Sequence, residues 1–226
     1  MPEKVRVCLG FAELLCRKSD VAKISRIAKR AYSLNRRFFG KEIRKPFHII
    51  ICYSRAELDE QWGGKTEDWL TALSGVGSIA TFTDGLIKRY SGVKVKSGMR
   101  SALEHEINHQ FYYQIVGSRK PSWLLEGLAT QFGGYRLHGD DKRMLEGELP
   151  HLLHFHSGKS YWKHARMLYP MGFAAVRYLI GRHGKAKVLR MLSLYSKKPT
   201  KSGFEAAFRK TFGYSVRELE ERVFRR

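Results

Sequence analysis

The sequence predicts an α+β fold: a first part of helices around a mixed sheet, then a second part that is helical to its end. Three observations predict it. A β-branched and aromatic run, Phe47-His48-Ile49-Ile50-Ile51-Cys52-Tyr53, reads as a buried strand. Gly-punctuated, β-prone segments follow it as far as Val95. Beyond Gly117 and Pro121 the apolar residues recur at the three- and four-residue steps of a helix.

Each element has its own signal. Val21, Ile24, Ile27, Ala28, Ala31, Leu34 and Phe38 alternate with basic positions, which predicts an amphipathic helix over 20–39 that stops at Gly40. After the strand at 47–53, Ser54 with Glu57 forms a capping-box pattern opening a helix toward Trp62, and Gly63-Gly64 breaks it. Gly75–Thr83 and Leu86–Val95 read as two or more strands joined around Asp84-Gly85. Ser101 with Glu104 is a second capping-box pattern, and Leu103, Ile107 and Phe111 continue at i, i+4 and i+8, so a helix of some four turns is expected to begin there. Helices follow near 122–132, 163–180, 186–195, 203–212 and 216–225, with Ser202/Glu205 and Ser215/Glu218 as the caps of the last two. The predicted division is 1–118 for the helix-and-sheet lobe and 119–226 for the helical lobe, the two together making one domain.

The 226 residues are 43% hydrophobic and 28% charged, ordinary globular usage and far from the apolar-poor composition of disordered chains. Charge is the unusual quantity: 42 Lys and Arg against 21 Asp and Glu give a formal +21. The excess is carried by both ends of the chain and not by a tail, so a basic surface is expected, one that attracts nucleic acid, an anionic membrane or an acidic protein partner. The three cysteines, Cys8, Cys16 and Cys52, lack paired spacing and read as free thiols. Arg6 and Glu13 interrupt the only apolar run near the start, and no later stretch is apolar enough to span a bilayer, so a cytoplasmic protein is expected.

Chemistry is concentrated in His105-Glu106-Ile107-Asn108-His109, an H-E-x-x-H pattern on a predicted helix. Four residues make just over one helical turn, so both imidazoles are brought to one face as a pre-aimed pair of metal ligands. Glu106 lies beside the first ligand, where a carboxylate can accept a proton from a metal-bound water. The competing reading is two surface histidines on a helix. A catalytic zinc requires a third protein ligand and one open position. Glu126 is the candidate, because it sits among Trp123, Leu124, Leu125, Leu128 and Ala129, where a buried charge is costly unless paired or metal-bound.

With those residues in place the chain resembles the gluzincin zinc metallopeptidases, including the aminopeptidase N-like and peptidase MA-like families. The resemblance is carried by His105-Glu106-Ile107-Asn108-His109-Gln110-Phe111, by Trp123-Leu124-Leu125-Glu126-Gly127-Leu128-Ala129, and by Tyr169-Pro170-Met171-Gly172-Phe173-Ala174-Ala175-Val176. The ending, Ala207-Phe208 through Tyr214-Ser215 to Leu219-Glu220, is similar to the terminal helices of the MA-like proteins. The resemblance implies a zincin-like fold, Zn2+ held by His105, His109 and Glu126, Glu106 as the general base, and Tyr169 as the residue that steadies the transition state. It implies hydrolysis of a peptide or protein substrate added along an edge strand, for which Gly75–Thr83 is the candidate. Where the large aminopeptidases carry an acid that binds a free N-terminus, Gly98-Met99-Arg100 offers none, so their specificity is not implied. The alternative function is a basic, nucleic-acid-associated module with this fold, proteolytically silent or acting on DNA-bound proteins.

Other residues invite weaker readings. His151, His154 and His156 would make a second metal site if they converged, and otherwise line a loop. Thr130 could orient a ligand, or be an ordinary helix hydroxyl. Phe111, Tyr112 and Tyr113 read as core before substrate platform, and Asn108 has no required chemistry.

Overall fold

A computed structural model describes residues 3–90, 98–156 and 164–224. The chain is α+β and forms two units, Met1–Gln114 and Ile115–Arg226. In the first, five strands, β1 (Lys4–Cys8), β2 (Ala12–Arg17), β3 (Phe47–Cys52), β4 (Ala72–Gly75) and β5 (Ser78–Phe82), form one mixed sheet in the order β1-β2-β3-β5-β4. The central pairs β2/β3 and β3/β5 are parallel and the outer pairs β1/β2 and β4/β5 antiparallel. β5 is therefore interior, and β4 is the outer strand on that side, which corrects the expectation of an edge along Gly75–Thr83.

The hairpin β1/β2 was not foreseen. Its charges are set by alternation: Ala12, Leu14 and Cys16 are buried while Glu13, Leu15 and Arg17 between them are not. From β2 the chain crosses through α1 (Val21–Phe39) to the parallel strand β3. Ile24, Ala28, Ala31, Asn35 and Phe39 are the buried stripe of α1, and Gly40 ends it in the left-handed conformation, φ 64°. Ser54 caps α2 (Arg55–Trp62), its side chain accepting from the Glu57 N–H.

Two expectations fail around residue 84. Residues 86–90 belong to a helix, α3 (Asp84–Tyr90), and not to a strand; the rest of that expected strand lies outside the described residues. Lys88 and Arg89 are exposed side by side while Ile87 is buried and Tyr90, three residues on, packs its ring on Phe82, a helical spacing that strand alternation forbids. The next helix, α4 (Gly98–Val116), begins three residues before the expected Ser101 cap. Asp84 caps it instead, accepting from the Met99 N–H at 2.8 Å while Lys23 lies 2.6 Å from its other oxygen. Burial pushes the Asp84 carboxyl up, but Lys23, the Met99 N–H and Lys88 together hold it below the usual carboxylate range.

Every described element of the second unit is helical: α5 (Ser122–Phe132), α6 (Gly139–Glu146), a 3-10 turn at Leu152–His156, α7 (Ala165–His183), α8 (Lys185–Tyr195), α9 (Lys201–Phe212) and α10 (Val216–Phe224). The expected start at Lys163 and end at Arg225 lie outside the described residues. Thr200, not Ser202, caps α9 by accepting from the Gly203 N–H, whereas Ser215 and Glu218 exchange hydrogen bonds as expected at the start of α10. Trp123, Tyr195, Phe204 and Phe208 form an aromatic core, with Phe204 touching the other three.

In this unit α5 packs on α7 at backbone contact. A Cβ on Gly127 would fall 2.3 Å from the Gly172 carbonyl oxygen, and one on Gly172 would fall 2.5 Å from that of Trp123. Only glycine fits at both places. Cys16 and Cys52 are buried and Cys8 is exposed, all three as free thiols. Among the described residues no helix is long and apolar enough to cross a membrane.

Candidate metal centre

α4 presents the H-E-x-x-H residues as its periodicity requires. The rings of His105 and His109 lie 4.7 Å apart and nearly perpendicular, and His109 stacks on Tyr113 at 6.0 Å. His109 is 4% exposed and Glu106 7%. Glu104 on the same helix is also buried, and burial raises its carboxyl above the usual range against the lowering influence of Arg100 and Arg30.

In α5 every residue from Ser122 to Thr130 is buried, Glu126 included at 6% exposure. His105, His109 and Glu126 each offer one ligand atom, and these atoms all lie within 4.8 Å of one another. Tetrahedral zinc ligands sit roughly 3.5 Å from each other, so this donor set fits the ion with small adjustments. Two imidazoles and one buried carboxylate are also the donor types that zinc accepts, and three ligands leave a fourth position open.

Glu126 and Tyr169 flank the glycine contact described above. Glu126 immediately precedes Gly127, and Tyr169 stands three residues before Gly172, half-buried on α7. The two glycines let α5 and α7 approach at backbone contact, which fixes the setting of both side chains within the second unit.

Two polar residues of α4 have roles that sequence reasoning missed. Asn108, between the two histidines, is fully buried and donates a 2.7 Å hydrogen bond to Asn35 of α1. Gln110, the residue after His109, closes the β4–β5 turn: its amide nitrogen donates to Ser74 Oγ and the Gly75 carbonyl, both at 2.7 Å, and its oxygen accepts from the Gly77 N–H at 3.0 Å. The available signal was their polarity at helix positions that periodicity places inside.

The weaker candidates resolve into structure. The Thr130 hydroxyl donates to the Gly127 carbonyl of its own helix. Phe111, Tyr112 and Tyr113 are core, Phe111 stacking on Phe39. His151 bonds Glu220 at 2.8 Å, and the same carboxylate accepts from the Leu152 N–H, so it caps the 3-10 turn. Among the described residues His151, His154 and His156 do not assemble into a second metal-binding group.

No family model matches the chain, and no curated protein matches its sequence.

Proposed function

We propose that the chain is a zinc-dependent peptidase of gluzincin type on a zincin-like fold, with His105, His109 and Glu126 as the metal ligands. The observation that carries the reading is the convergence of those three ligand atoms within 4.8 Å, with Glu126 buried in an otherwise apolar stretch of α5. A carboxylate there is costly unless a cation meets it. The resemblance of the three motif segments supports the same donor set.

Zinc in such a site supplies a Lewis acid that polarises a peptide carbonyl and makes water a stronger acid. The remaining work falls to the protein. Glu106, adjacent to the first ligand and largely shielded from solvent, accepts the proton of the attacking water and returns it to the leaving amine. The Tyr169 hydroxyl donates to the oxygen on which negative charge develops. The substrate is a peptide or protein, and β4, the outer strand on its side of the sheet, is the element to which an extended chain would add.

The test is metal content. Purified protein should carry about one zinc per chain, and Glu126→Ala should weaken binding by one to two orders of magnitude or more, since a three-ligand site becomes a two-ligand site. Zinc content that is indifferent to substitution of His105, His109 and Glu126 would remove the assignment. The basic surface suits a peptidase and a silent module equally; turnover, and its loss in Glu106→Gln, separates them.

A further inference from the structure

The peptidase reading leaves a concentration of positive charge in the second unit unexplained. From Leu149 to Phe204 the sequence holds eleven Lys and Arg and no Asp or Glu. At the chain's own frequency, 21 acids in 226 residues, that stretch would carry about five. Arg182 at the end of α7, Lys187 and Arg190 on α8, and Lys197 and Lys198 just after it are all exposed. None of the five makes an ion pair or side-chain hydrogen bond among the described residues. Arg182 and Lys187 also converge with Arg222 of α10 on His183, whose imidazole is held below its ordinary range by burial first and by these cations after it. Like charges brought together without internal compensation repel, and a bound polyanion relieves the repulsion.

The face has a second property. Val188, Met191, Leu192 and Tyr195 are the buried side of α8. On the opposite side Ala186, Arg190, Ser193 and Lys197 follow at i, i+4, i+7 and i+11, so small side chains separate the cations. A phosphate backbone can approach such a surface closely. A bilayer would require large apolar side chains to insert, and the exposed ones among the described residues, Trp62, Trp69 and Val76, all belong to the first unit.

We propose that this α8 face, with Arg182, Lys187, Arg190, Lys197 and Lys198, is a docking surface for the phosphate backbone of nucleic acid, read without sequence preference. It does not depend on the metal site. Binding of a labelled duplex of about 20 base pairs to the full chain, titrated from about 50 to 200 mM salt, should give a slope of log affinity against log salt near −4, because each neutralised phosphate releases counterions. Replacing Lys187, Arg190, Lys197 and Lys198 together by Gln should reduce that slope by about 3 to 4 and weaken binding at least tenfold at about 100 mM salt. A charge-preserving variant, with Arg for each Lys and Lys for Arg190, should keep both values, which separates charge from folding. The proposal is overturned if no duplex binds at the lowest salt, if the slope survives the Gln replacements, or if the charge-preserving variant loses binding as well. Vesicles of about one-third phosphatidylserine binding where duplex does not would equally overturn it, in favour of a membrane surface.

Discussion

Asn108 Nδ2 donates to Asn35 Oδ1 at 2.7 Å, joining α4 to α1 through two fully buried amides 73 residues apart in sequence. Asn35 passes the contact back, donating to the carbonyls of Ala31 and Glu104 at 3.1 Å each. The pair fixes the rotation of α4 against α1, and with it the direction in which His105 and His109 point. Asn35→Ala leaves a buried amide and a buried carbonyl without their partner, which costs about 1–3 kcal/mol. Thermal melts should show a fall of several degrees. The double variant Asn35→Ala/Asn108→Ala should cost less than the sum of its parts, and strict additivity would show that the amides do not act as a pair.

Gly127 and Gly172 should tolerate no side chain. A Cβ at either meets backbone within 2.5 Å, and backbone cannot rotate away as a flexible side chain would. Gly127→Ala and Gly172→Ala should each destabilise by about 2 kcal/mol or more through overpacking. Gly181, near the end of α7, has nothing within 4 Å of its Cβ position. Gly181→Ala should instead be neutral or stabilising by up to about 1 kcal/mol, since alanine is the better helix former. Denaturant melts of the three variants decide it, and similar costs at all three positions would refute the contact.

What the sequence disclosed and what it hid divide along locality. α1, α2, β3 and α5 were legible because their caps and periodicities lie within one segment. The ligand histidines were legible for the same reason, and Glu126 stood out as a charge in an apolar run. β1 and β2 were hidden because Arg6 and Glu13 break their apolar pattern, and only the pairing of one strand with the other shows those charges on the unburied side. α3 was hidden by Asp84-Gly85, a pair that serves a hairpin turn as readily as a helix start. Ser101 satisfied the rules of a cap, but Asp84 lies fourteen residues before the first turn of α4 and takes that role through space. Asn108 and Gln110 were unreadable because their partners are Asn35 and the β4–β5 turn, and periodicity says that a residue is inside without saying what it meets.

Two histidines should make the second unit sensitive to mild acid. Burial lowers the His156 imidazole first, with Lys120 and Lys201 adding to it against Glu205, and His183 is lowered by burial and then by Lys187, Arg182 and Arg222. A folded-state value below the unfolded one, near 6.5, means that the unfolded chain binds more protons as pH falls. Their contribution is complete above that value and is lost as pH falls through it toward the folded values. Melting temperature should therefore drop between about pH 7 and 5. His156→Gln and His183→Gln should each flatten the drop, and a profile unchanged by both would place the sensitivity elsewhere.

Glu106 and Tyr169 are assigned different work, so their removal should have different signatures. Glu106→Gln keeps the shape of the side chain and abolishes the base, so zinc should remain bound while nearly all hydrolysis is lost. Tyr169→Phe removes only a hydroxyl. If that hydroxyl acts on charge that develops in the transition state, kcat should fall by ~10²–10³, about 3–4 kcal/mol, with little change in KM or zinc content. If Tyr169 serves only packing on α7, the same substitution should be nearly silent, because the ring that packs is retained. The measurement is kcat, KM, zinc content and melting temperature for both variants beside wild type, on a peptide that wild type cleaves. Unchanged kcat in Tyr169→Phe would end its assignment as the oxyanion donor without touching the metal site. Retained turnover in Glu106→Gln would end the catalytic reading of the H-E-x-x-H motif, since a neutral amide cannot accept the proton that the reaction must move.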